Sequence, residues 1–139
     1  MNANELRIGN LVLFDGVVHK IEVIDGYASF VYFEEFGDNE FPLNKIEPIP
    51  LTEEWLLRFG FELLADIAGD FPEKHYGISI VNGDKDHPEK LVISLPLYEC
   101  YIGDYDNDDY YIMNEQVVYV HQLQNLYFAL TKTELTLKP

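Results

Sequence analysis

The densest run of chemistry-bearing side chains is GDYDNDDYYIMNE, residues 103–115. In it Asp104, Asp106, Asp108 and Glu115 fall at the first, third, fifth and twelfth places of an EF-hand-like loop. Oxygen ligands at alternate positions can converge on a hard cation, and a glutamate at the twelfth place can close the shell with both its oxygens. The spacing predicts a weak divalent-cation site, with Ca2+ as the candidate ion and no other cofactor implied. The sixth place, where such a loop turns on glycine, is Asp109, and the preceding LYECYI alternates like a strand where an entering helix would stand. An acid-rich, solvated hairpin tip accounts for the same residues.

Tyr98, Tyr101, Tyr105, Tyr110 and Tyr111 crowd the same segment. Tyrosines give large contact area at low entropic cost, so a Tyr/Asp surface here could bind a protein. Alternate tyrosines packing inward beneath others that cover a sheet face is the competing reading.

The remaining reactive side chains form no catalytic pattern. His19, His75, His87 and His121 show no paired spacing that would set two ligands on one helix face. His121 precedes Gln124 and Asn125 at helical spacing, a polar stripe that suits either a small polar ligand or an ordinary solvated helix face. Cys100 lies between Tyr98 and Tyr101 in a strand-like run and reads as a small buried hydrophobe. Ser29, Ser79 and Ser94 sit in strand patterns and in no nucleophile elbow, and the glycines are dispersed as turn punctuation. The expected catalytic and cofactor-binding sets are therefore empty, and the chain reads as no enzyme.

The elements that must position these groups suggest an α+β protein. Residues 11–14, 17–24, 27–33, 40–43 and 45–48 are short apolar or alternating runs. Asp15-Gly16 and Asp25-Gly26 suit tight hairpin turns, and a further turn falls at Gly37-Asp38-Asn39. Residues 1–50 thus predict an SH3-like β-meander or small barrel. LTEEWLLRFGF, residues 51–61, is a well-punctuated helix. Thr52 caps it, Glu53 and Glu54 face its positive end, Leu51 can staple onto Leu56, and Gly60 ends it. Its stripe is Trp55, Leu56 and Phe59. Beyond it, residues 76–81 and 91–95 predict two strands joined through Asn82-Gly83, and residues 97–102 and 110–113 predict an antiparallel pair. Residues 118–131 predict a C-terminal helix with Val120, Leu123, Tyr127 and Leu130 on one face, and a last strand at 134–137. The domain reading is an SH3-like lobe at 1–50 and an α+β lobe at 51–139, whose antiparallel sheet is packed by the C-terminal helix, the two forming one compact unit.

Composition bounds the function. With 25 acidic against 9 basic side chains the formal charge is −16, and both lobes share the excess. Such a surface repels phosphate backbones and anionic lipid, so direct nucleic-acid and membrane binding are disfavoured. A hydrophobic share of 47% supports a folded core. One cysteine fits a reducing compartment, and the N-terminal MNANELRIGN has neither a basic start nor an apolar core, so the cytoplasm is the expected location.

Three stretches, LRIGNLVLFDG at 6–16, IEPIPLTEEWLLRFGF at 46–61 and VHQLQNLYFALTKTELTL at 120–137, cover about a third of the chain. Together they resemble a family of small proteins of unassigned function encoded in Bacteroidetes-type bacterial genomes, often in prophage-like or other mobile elements. The resemblance implies a bacterial, phage-derived context and carries over no functional residue. With the charge, it makes a non-enzymatic protein-interaction module the leading expectation, its acidic, tyrosine-rich surface attracting a partner with a basic patch. The alternatives are an acidic mimic of a nucleic-acid backbone that blocks a DNA-binding enzyme, and a weak cation-binding module.

Overall fold

The computed structural model describes residues 1–80 and 88–139. The expected strand end at Val81, the Asn82-Gly83 turn and His87 lie outside the described residues. The chain is α+β and divides into two compact units, one formed by Met1–Pro50 with Tyr119–Leu126 and the other by Leu51–Val118 with Tyr127–Pro139.

In the first unit four antiparallel strands, β1 (Leu11–Phe14), β2 (Val17–Asp25), β3 (Phe30–Phe33) and β4 (Phe41–Pro42), follow one another in chain order as a curled half-barrel. Asp15 and Gly16 both take positive φ, 50° and 76°, the geometry that a two-residue hairpin of the right twist needs. The second expected Asp-Gly hairpin is different. Strand β2 runs on through Asp25, whose carboxylate accepts from the Ala28 amide, and the turn spans four residues to Ser29 at φ 62°. The fifth expected strand, 45–48, shrinks to a single antiparallel bridge in which Glu47 and Leu13 exchange two 2.9 Å bonds.

Inward alternation of the strands places Val12, Ile21, Val31 and Phe33 in one buried cluster, joined by Leu43 and Ile46 from the 3-10 turn after β4. Six side chains at about 1.5–3 kcal/mol each make a modest core, so polar fastening matters more here than in a larger domain.

The second unit begins with helix α1 (Glu53–Arg58). The Thr52 hydroxyl accepts from the Trp55 amide as foreseen, and Gly60 at φ 95° supplies the left-handed stop. Leu56 and Phe59 are buried. Trp55 is half-exposed, tilted against Phe59 and covered by the Arg58 guanidinium at 4.5 Å.

Five antiparallel strands then form a sheet in chain order: β5 (Glu62–Ile67), β6 (Glu73–Ser79), β7 (Lys90–Leu95), β8 (Cys100–Asp104) and β9 (Asp109–Ile112). One face carries Tyr76, Ile93 and Cys100 in one row and Leu91 in the next, all buried. Residues 134–137 form no strand; Leu135 is buried and the Lys138 amide donates to the Arg58 carbonyl.

Helix α2 (Val120–Thr131) closes the described chain's secondary structure. Its first two turns cluster with the first unit, not with the 51–139 lobe to which the sequence reading assigned them. The reason is polar. Gln124, buried, accepts from the Leu11 amide at 2.9 Å and donates to the Gly9 carbonyl at 3.2 Å. Asn125 accepts from the Asn10 side-chain amide at 2.8 Å and donates to the Glu5 carbonyl at 3.1 Å. Among the described residues no helix is long and apolar enough to cross a membrane.

Candidate functional site

Alternation along the five-stranded sheet puts a second set of residues on the opposite face, where His75, Gly77, Val92, Ser94 and Tyr101 are buried as well. The register aligns Ala65, His75 and Ser94 in one row, then Gly77, Val92, Tyr101 and Ile112, then Lys90, Gly103 and Tyr110. Tyr105, from the 3-10 turn Tyr105–Asn107 that joins β8 to β9, folds onto the same side.

The turn depends on Gly103. At φ 138° it holds a backbone conformation that side chains resist, and a Cβ there would lie 2.6 Å from the Asp109 carbonyl oxygen and 2.9 Å from the Tyr110 Cα. Its bare backbone lets β9 cross close enough for the tyrosines to meet.

The rings assemble through edges and faces. Tyr105 and Tyr110 stack at 5.6 Å, Tyr110 meets Tyr101 edge-on at 5.2 Å, and His75 touches both Tyr101 at 5.4 Å and Tyr105 at 5.7 Å. Tyr101 and His75 are the buried members, while Tyr105 and Tyr110 remain half-exposed.

A hydrogen-bonded chain fixes the rings. Glu73 Oε1 lies 2.7 Å from His75 Nε2, and His75 Nδ1 lies 2.5 Å from the Tyr105 hydroxyl. A carboxylate only accepts, so the imidazole carries its proton on Nε2 and takes the phenol proton's bond at Nδ1. Tyr101 is held likewise, its hydroxyl donating to Glu99 Oε2 at 2.8 Å.

Burial, followed by the neighbouring Tyr110, Glu73, Asp106 and Asp108, pushes the Tyr105 phenol up from its ordinary value. Burial and Glu99 do the same to Tyr101. Both phenols therefore keep their protons at neutral pH. The Glu73–His75–Tyr105 chain has the connectivity of a proton relay, and it sets the orientation of the Tyr105 ring.

Carboxylates surround the cluster: Glu73, Glu99, Asp106 and Asp108 all act on its phenols. Lys90, in the row of Tyr110, pairs with Asp106 at 3.2 Å.

Of the five tyrosines singled out by sequence, Tyr101, Tyr105 and Tyr110 come together. Tyr111 points to the other face and is 82% exposed, and Tyr98 occupies a turn at φ 60°. Sequence reasoning missed Glu73 and His75. Their spacing of two within a strand, which places both on one face, was the available signal.

The acidic residues proposed for a cation are not gathered. Asp104 accepts from the Asn107 amide, Asp106 pairs with Lys90, and Asp108 is the left-handed residue that ends the turn at φ 56°. Glu115 lies beyond β9, exposed. Among the described residues no group of three or more histidine, cysteine, aspartate or glutamate side chains is placed to hold a metal ion.

The other candidates are accounted for by packing. Cys100 is buried and its thiol is pushed up to about 12 by burial alone. His19 stacks on Phe33 at 4.5 Å with Glu35 at 3.6 Å. His121 is buried against Tyr119 and its imidazole is pushed down by burial, with Glu5 opposing. The polar stripe is engaged within the chain: Gln124 is buried on the backbone of Gly9 and Leu11, and half-exposed Asn125 bonds the Asn10 side chain and the Glu5 carbonyl.

No protein-family profile, curated protein or solved structure matches the chain.

Proposed function

We propose that this chain is a non-enzymatic protein-interaction module of bacterial or prophage origin, working in the cytoplasm. Its contact surface is the tyrosine face of the five-stranded sheet, and the curled half-barrel of the first unit is an SH3-like companion fold. The observation that carries this reading is the Glu73–His75–Tyr105 chain, which orients the half-exposed Tyr105 ring, with Tyr110 stacked on it, before any partner arrives.

Ordering side chains costs about 0.5–1.5 kcal/mol for each one immobilised at an interface, so rings fixed beforehand bind more tightly for the same contact area. The carboxylates around them favour a partner with a basic patch, drawn in by long-range attraction and suited to cation–π contact with Tyr105 and Tyr110.

The test is a tagged pull-down from bacterial lysate at low and moderately high salt, comparing the natural chain with a Tyr105→Ala/Tyr110→Ala variant. The expected result is a basic partner retained by the natural chain and lost by the variant. Equal retention by both chains, or nothing specific retained by either, would overturn the reading.

A further inference from the structure

Among the described residues, the sheet that bears the tyrosines ends in β9, with no further strand on its outer edge. The Met113 amide donates to the Cys100 carbonyl at 2.9 Å, and Tyr111 lies opposite Ile102 in the register. In an antiparallel ladder the peptide groups alternate in direction. Those of Tyr111 and Met113 therefore point at β8, and those of Tyr110 and Ile112 point away, to where a sixth strand would lie.

The edge is exposed and apolar. Ile112 is 61% exposed and Tyr111 82%, and Asp109 at the first position is the only charge within β9. A strand of this kind is a template for another chain unless something blunts it. At the opposite edge β5 is blunted: it carries Glu62 and Asp66 and a bulge between Leu63 and Ala65 that interrupts its register.

Charge selects the occupant. From residue 91 to residue 131 the chain contains neither lysine nor arginine, and β9 runs between Asp108 and Asp109 at one end, next to the Lys90-paired Asp106, and Glu115 at the other. A second copy paired antiparallel on this edge would set aspartates against glutamate, an unfavourable arrangement. An extended basic segment meets opposite charge at both ends.

We infer that β9 accepts a sixth strand from the partner, an extended segment bearing lysine or arginine. Its backbone bonds to Tyr110 and Ile112, and its alternate side chains reach the Tyr105–Tyr110 face. This inference rests on the reading of that face as a contact surface, and adds the mode of binding and the chemistry of the partner.

The test uses the full chain, isotope-labelled, with a capped hexapeptide alternating arginine and valine and the same peptide N-methylated at alternate residues. Strand addition predicts at least tenfold slower hydrogen exchange at the Tyr110 and Ile112 amides, and at least a tenfold loss of affinity on N-methylation. Ile112→Pro, which removes an outward amide on an edge strand that tolerates proline, should abolish both peptide binding and partner capture. Binding without amide protection, or no binding up to millimolar peptide, overturns strand addition. If Ile112→Pro captures the partner as well as the natural chain does, strand addition fails while the tyrosine face stands. A pull-down insensitive to Tyr105→Ala/Tyr110→Ala, or one in which neither chain retains anything specific, removes the face itself.

Discussion

Two polar constellations, one in each unit, look alike in composition and differ in what their hydrogen bonds accomplish. On helix α2, Gln124 and Asn125 direct both ends of their amides to the main chain and side chain of residues 5–11. On the five-stranded sheet, Glu73 and His75 direct theirs to another side chain, and the ring they fix remains half-exposed. The first set completes the secondary structure of its own chain. The second sets the pose of groups that have contact area left to offer. A buried polar network thus points to a site when its last member faces outward, and to a clasp when its last member is backbone.

The largest effect that would test this contrast is on stability. Gln124→Ala leaves the Leu11 amide and the Gly9 carbonyl without their partner, at a cost of about 3 kcal/mol from two deprived backbone groups. Urea denaturation should show that loss while partner capture by the folded variant is unchanged; impaired capture would break the division between clasp and site.

His75→Gln should do the reverse in emphasis. It removes a charge-assisted bond, costing about 1.5 kcal/mol of stability, and frees Tyr105, so titration calorimetry with the captured partner should show about a tenfold weaker Kd. Undiminished affinity would mean that ring orientation does not matter.

Tyr105→Phe keeps the ring and drops only the hydroxyl, and the expected weakening is about threefold, near 0.7 kcal/mol. A loss as large as that of His75→Gln would shift the weight from the ring to the hydroxyl.

The smallest effect concerns pH. The buried His121 imidazole titrates below its ordinary value. As pH falls through about 6.5 the unfolded chain therefore takes up a proton that the folded chain refuses. The stability that neutral His121 contributes is present above that pH and is lost as pH falls toward the lowered folded value. The unfolding free energies of the natural chain and His121→Asn should accordingly draw together between pH 7.5 and 5.5. A constant gap would mean that burial does not hold the His121 imidazole below its ordinary value.

Local signals were readable in the sequence wherever a residue type decides a conformation unaided. Asp15-Gly16 announced its hairpin, Thr52 its helix start and Gly60 its helix stop. Strand β5 was missed because Glu-Leu-Leu-Ala-Asp has no β-branched run or clean alternation; pairing with β6 makes it a strand. The strand expected at 134–137 has the right residues and no ladder to join, and the chain there bonds instead to the end of α1.

The same division holds at the site. Crowding of tyrosines was plain along the chain, but their partition was not. Tyr110 and Tyr111 are neighbours in sequence and lie on opposite faces, while Tyr105 joins His75 across 30 residues. The role of Gln124 was hidden for a related reason: its partners are main-chain groups more than a hundred residues away, which no side-chain pattern can announce.

The division of α2 between the units has a consequence for how the protein is made. The four strands of the half-barrel are encoded before residue 51, yet the amides that satisfy Gly9, Asn10 and Leu11 come from residues 124 and 125. On a translating ribosome adding about 5–20 residues per second, the meander emerges several seconds before its clasp. During that interval the Gly9 carbonyl and the Leu11 amide are met only by water, and the first unit is finished only when nearly all of the second has been synthesised.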